Sequence, residues 1–146
     1  MVPILARLAG VLHYYIDSNS SDPIGKGARA RMIIALVELL PSPGSKQSIL
    51  EILRIAQRSA RTKAACVGCD IYETVDTSHK ILYLEQWRNV EDLHRHIQSS
   101  VYLRVLNAMD LSAEPPTVVF HKVSDTKSMD LIESLRGSAL HADTWK

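Results

Sequence analysis

Hydrophobic and polar positions alternate with a period of two in several short runs of this chain, and with a helical period between them. Met32–Leu40 is rich in Ile, Val and Leu and is stopped by Pro41-Ser42-Pro43-Gly44, which predicts a first strand. A helix then follows from about Ser45 to Thr62, with Ile49, Ile52, Leu53, Ala56 and Ala60 on its buried stripe. Val67–Val75 and Lys80–Trp87 read as two strands joined by a hairpin turn at Asp76-Thr77-Ser78. Asn89 can cap the next helix, which reaches Gln98, with Asp92 three residues on. Ser99 is a candidate cap for a second helical piece in which Tyr102, Leu106 and Met109 share a face. Glu114-Pro115-Pro116 forces an extended entry to a last strand, Thr117–Val123. Asp125 or Thr126 then opens a closing helix that ends near Gly137, a suitable C′ residue.

The element order is β-α-β-β-α-β with a terminal helix, which predicts an α+β domain on the split βαβ, ferredoxin-like plan. Helices cover one face of such a sheet. In the first strand Ile33, Ala35, Val37 and Leu39 point one way, while Ile34, Leu36 and Leu40 point the other. The third strand is likewise mostly apolar on both sides. A sheet that is oily on its uncovered face calls for a second sheet against it, most simply from a homodimer packed sheet to sheet.

Residues 1–31 stand apart from this pattern. Ile4, Leu5, Leu8, Val11, Leu12, Tyr15 and Ile16 keep helical spacing, which predicts an amphipathic helix at 3–16, followed by a linker rich in Ser, Asn and Gly. Two readings stay open: an extra N-terminal helix that docks on the domain or on a second subunit, or an extension preceding a natural start at Met32. The domain spans 32–137, and 138–146 reads as a loose tail.

Composition narrows the function classes. A chain of 146 residues with 46% hydrophobic and 23% charged content is one globular domain with a real core. A net charge of +1 gives no electrostatic case for nucleic acid or for a membrane surface. No apolar run approaches the roughly 20 residues of a spanning helix, and the N-terminus lacks the layout of a secretory signal. Two cysteines make no disulfide scaffold, so a cytoplasmic location is expected.

Candidate chemistry gathers on the third strand and the helix after it. Alternation places Ile81, Tyr83, Glu85 and Trp87 on one face, and the helix carries His94 and His96. Trp87 offers a stacking face for an aromatic molecule, or it simply closes the core. His96 is a candidate acid/base, since imidazole changes charge near neutrality, or a pin bonded to Ser99, Ser100 or a strand carboxylate. Glu85 and Glu38 sit within strands, each a candidate pocket base or a partner for Arg88, Lys122 or an interface arginine across a dimer. Tyr72, Tyr83 and Tyr102 could supply phenolic hydrogen bonds to a bound molecule, and His121 is a further polar candidate from the last strand. His94 falls on another helical face from His96, and the two lack the further ligands a metal needs. Cys66 and Cys69 form a Cys-x-x-Cys, but a strand follows where a redox motif has a helix. In extended chain the two thiols would face opposite ways, about 10 Å apart.

Cys66-Val67-Gly68-Cys69, Tyr83-Leu84-Glu85-Gln86-Trp87 and the run Leu93–Ser99, with the spacing from Trp87 to His96 to Ser99, together resemble the antibiotic biosynthesis monooxygenase-like domains. The resemblance covers Met32 to Arg136. It implies a dimeric α/β barrel and, by analogy with members of known chemistry, oxygenation of anthrones or quinols without metal or flavin. It puts Trp87 and His96 on motif positions, as residues that position the substrate and move its proton, with Glu85 or a tyrosine orienting the histidine. The haem-degrading branch fits poorly: its strand-one asparagine is missing from Met32–Leu40, and its haem-ligating histidine falls near Leu106. The expectation is therefore a cofactor-independent monooxygenase acting on a small aromatic or quinol-like molecule. The alternative is a non-catalytic dimeric module of the same fold that binds a ligand or mediates assembly.

Overall fold

A computed structural model describes residues 32–137, so the expected helix at 3–16, its linker and the tail 138–146 lie outside the described residues. The strands are β1 (Ile33–Leu39), β2 (Cys66–Glu73), β3 (Ile81–Trp87) and β4 (Thr117–Lys122). The helices are α1 (Lys46–Arg61), α2 (Val90–Gln98), α3 (Tyr102–Asp110) and α4 (Met129–Arg136). The sheet runs β2-β3-β1-β4, with every neighbouring pair antiparallel. This is the ferredoxin-like plan expected from the chain order, with the most apolar strand, β1, inside.

Period-two burial sets the layers. Ile33, Ala35, Val37 and Leu39 of β1, with Ile81, Tyr83, Glu85 and Trp87 of β3, are all buried on one face. Against them pack Ile49, Leu53, Ala56 and Ala60 from α1, Leu93 from α2, and Val105, Ala108 and Met109 from α3. The register puts Ile34, Leu36, Leu82, Leu84 and Val119 together on the opposite face, where each is half-buried in the single chain. Glu38, on that same face, pairs with Lys80 at 2.8 Å, a partner other than those expected. Among the described residues, no helix is long and apolar enough to cross a membrane.

Local chemistry explains the element ends. Asn89 Oδ1 accepts the Asp92 amide at 2.8 Å, so the expected cap opens α2. Ser99 acts differently from the expectation. Its hydroxyl donates back to the His96 carbonyl at 2.6 Å, closing α2, and α3 starts only at Tyr102. The closing helix also starts later than Asp125 or Thr126, at Met129 after Ser128, and the Asp125 carboxylate instead takes the Thr126 amide at 2.8 Å. None of the α4 residues is buried, and Met129, Leu131, Ile132 and Leu135 remain exposed.

The largest departure from the sequence expectation is in β2. Cys66 pairs with Trp87 and Cys69 with Glu85, although three steps of chain separate the two cysteines and only two separate Glu85 from Trp87. The additional residue is Val67, which bulges outward and is 51% exposed. Gly68 follows it, where a Cβ would come within 3.3 Å of Gln86 Oε1, a tight approach that the glycine avoids. Residues opposite one another on paired strands share a face, so Cys66 and Cys69 both point to the helix side. The expected opposite-facing arrangement is therefore corrected: one extra residue in the ladder undoes the period of two.

Candidate functional site

The helix-facing end of β3 supplies a carboxylate, an indole and, across the turn at Asn89, an imidazole. His96 lies seven positions after the cap, two helical turns, which returns it to the buried side that Leu93 also occupies. Glu85, Trp87 and His96 are only 1%, 0% and 1% exposed. Such burial is tolerable for a carboxylate only when its lone pairs are used. Trp87 Nε1 donates to Glu85 Oε2 at 2.9 Å, and His96 Nε2 lies 2.8 Å from Glu85 Oε1.

The other imidazole nitrogen meets a residue that no pattern in the chain singled out. Lys63, in the turn between α1 and β2, brings Nζ to 3.1 Å from His96 Nδ1 and 6.0 Å from the centre of the Trp87 ring. Its backbone is held on both sides, the amide by Ala60 O at 3.1 Å and the carbonyl by the Cys66 amide at 3.0 Å. An ammonium group has donors only, so Nδ1 must accept. A neutral imidazole then carries its proton on Nε2 and donates it to Glu85 Oε1. The network assigns this tautomer. Hydrogen bonds thus run in one sense from Lys63 through His96 to Glu85, where the indole N–H meets them from the far side.

Aromatic contacts fix the imidazole in place. The Trp87 ring lies 4.6 Å from it at a tilt of 31°, and Tyr102 meets it edge-on at 5.5 Å. Burial raises the Tyr102 hydroxyl well above the usual phenol range, with the Glu85 charge adding to the effect. Tyr83 is buried beside them and its hydroxyl makes no hydrogen bond of ordinary geometry; Glu85 and the Cys69 thiol are its polar neighbours. Burial first, then the Glu85 charge, keep that phenol protonated. Burial pushes the Cys69 thiol up to about 12 and raises that of Cys66 as well, so neither resembles an activated redox thiol.

Of the residues expected at a site, Glu85, Trp87, His96, Tyr83 and Tyr102 are brought together. Tyr72 and His121 are not. Tyr72 stands opposite Leu82, and His121 opposite Ile34, so both lie on the sheet face away from the helices, and both are exposed. His94 is half-buried on another side of α2. Trp87 is in contact with the cluster through its N–H and its ring, and its full burial leaves no open face for stacking.

With this geometry in view, comparison with known proteins places the chain. The sequence profile of the antibiotic biosynthesis monooxygenase family matches residues 32–108, more than half of the chain. The chain belongs to that family. An uncharacterised protein of Synechocystis sp. is 24% identical over 127 residues, 86% of each chain, a match longer than the family profile. Among solved structures, a Mycobacterium tuberculosis protein superposes with a TM-score of 0.61 at 21% identity, covering 66% of this chain and 99% of its own. A Pseudomonas aeruginosa protein gives 0.58 at 20%, covering 68% and 100%. A Nitrosomonas europaea protein whose name carries the family designation gives 0.59 at 17%, covering 66% and 94%. At these identities the structures speak to the fold.

The buried thiol makes stability depend on alkaline pH with a definite sign. Unfolded, a cysteine ionises near 9.0, whereas folded Cys69 holds its proton to about 12. Stability is therefore full below pH 9 and falls above it, because only the unfolded chain releases the proton, with a slope approaching about 1.4 kcal/mol per pH unit. Urea unfolding at pH 8, 9 and 10 should show this loss, and Cys69→Ala should reduce it, leaving the share that comes from Cys66, Tyr83 and Tyr102, which burial raises as well.

Proposed function

We propose that this member of the family is a cofactor-independent monooxygenase for a small aromatic or quinol-like substrate, with His96 as the acid/base. In this reading His96 Nδ1 takes the proton of a phenolic hydroxyl, and Glu85 stabilises the imidazolium that forms. The substrate anion then gives electrons to dioxygen. For an anthrone-type methylene, one oxygen atom becomes the new carbonyl and the other leaves as water, with all four electrons supplied by the substrate. Trp87 holds the second oxygen of Glu85, so its part is to position the carboxylate. This replaces the stacking role considered for it from the sequence, which its burial disfavours. Tyr102 sets the tilt of the imidazole, and the Tyr83 hydroxyl adds a donor beside Glu85.

The observation that carries this reading is the asymmetry of His96. One nitrogen is closed against a buried carboxylate while the other is directed to a half-exposed lysine at the rim. A histidine that served only to bond Glu85 would need no polar link to the surface. The near-complete burial of all three residues favours the second reading, in which the trio pins β3 to α2 in a non-catalytic, ligand-binding or assembly module. Oxygen uptake separates the two. With hydroquinones and anthrones the enzyme should consume oxygen, and His96→Gln should slow it by about 10²–10⁴-fold. Equal rates in the two proteins would leave the module reading.

The same reading includes a homodimer. The half-buried patch of Ile34, Leu36, Leu82, Leu84 and Val119 supports it, since a face of this kind is stabilised by a facing sheet. The exposed apolar residues of α4 add surface that a second chain would cover. Light scattering at micromolar concentration should give the mass of two chains, and Leu36→Glu, at the centre of the patch, should give one. A wild-type mass of one chain would contradict the dimer.

A further inference from the structure

We propose that Lys63 is a catalytic residue that holds the substrate as a phenolate, so that the site selects aromatic molecules by an ionisable ring hydroxyl. The inference rests on the reading of His96 as the base and names what that base works against. In the chain of hydrogen bonds Trp87–Glu85–His96–Lys63, only Lys63 is partly exposed. A molecule arriving from solvent therefore meets Lys63 first, and it can reach His96 only at Nδ1, because Nε2 is closed by Glu85. The lysine stem is flexible and its ammonium has three donors, so Nζ can swing from Nδ1 to an arriving oxygen.

The charges balance at each stage. Before binding, the Glu85 carboxylate is matched by the Lys63 ammonium across a neutral imidazole. When the phenol O–H takes the place of Nζ on Nδ1, its proton passes to the imidazole and the O–H bond breaks. Imidazolium then faces Glu85, and phenolate faces Lys63, so two pairs replace one and no net charge is added to the buried region.

The other charged and titratable groups around the rim do not compete for this role. On α1, Arg61 is committed: its Nε donates to Cys69 O at 2.9 Å and a terminal nitrogen bonds Asp70 at 2.8 Å. On β2, burial keeps Cys66 and Cys69 as neutral thiols at neutral pH. On β3 and α3, Tyr83 and Tyr102 likewise stay protonated. The cation within reach of both Nδ1 and the Trp87 ring is Lys63.

A chromogenic phenol tests this without requiring turnover. 4-Nitrophenol is added to the full-length protein below the probe's own pKa, and the absorbance of its anion is followed as protein is titrated in. Binding should move the probe's ionisation at least tenfold toward the anion, about one pK unit, the low end of the effect of one nearby opposite charge. Lys63→Arg should retain the shift and Lys63→Met should abolish it, with thermal melts confirming that both are folded. No shift in the wild type, or an equal shift in Lys63→Met, would overturn the proposal. If the shift is present but quinols draw no oxygen, the anion site stands and the oxygenase reading falls. If Lys63→Met consumes oxygen with unchanged KM and kcat, the anion site falls and the oxygenase reading stands.

Discussion

A carboxylate buried in an apolar layer is the constraint around which this domain is arranged. Glu85 is 1% exposed on the helix-facing side of the sheet, and a lone charge there would cost several kcal/mol. The indole of Trp87 and the imidazole of His96 offset that cost, and each arrives from a different part of the chain. Trp87 comes by period two along the same strand. His96 comes through a capped turn and two turns of helix. The position of α2 on the sheet and the ionisation of Glu85 are thus one problem with one solution.

Lys63 extends this solution to the surface. Because an ammonium can only donate, it decides which imidazole nitrogen carries the proton and so which one faces Glu85. The turn that holds Lys63 leads directly into the bulge at Val67, where β2 gains a residue against β3. That bulge brings Cys66 and Cys69 to the same side as Glu85 and Trp87 and helps exclude water from them. The apolar surroundings that keep both thiols protonated are the same surroundings that make the Glu85 network depend on well-placed donors.

Much of the fold was legible because its signals are local. The alternation in Lys80–Trp87 put Tyr83, Glu85 and Trp87 on one face, and Asn89 with Asp92 located the start of α2. The order of elements was sufficient for the ferredoxin-like plan. What escaped was long-range or one residue in size. Val67 as a bulge leaves no mark on composition, though Gly68 next to it was a hint. Lys63 lies 33 positions from His96, and only the pairing of β2 with β3 brings the two together. Tyr72 and His121 were grouped with the site by residue type, and register alone assigns them to the other face. Ser99 faced two equivalent local options, closing one helix or opening the next, and spacing does not choose between them.

The family accounts for the architecture, and the proposed function rests on the hydrogen-bond chain from Lys63 to Glu85. The most direct test is the position of the His96 proton in the free protein. Long-range proton–nitrogen correlation spectra, assigned with His96→Gln, should show a protonated Nε2 and a bare Nδ1 at neutral pH. A proton on Nδ1 with Nε2 bare would contradict the account, since Lys63 would then face a donor and Glu85 would lose the bond that keeps it buried.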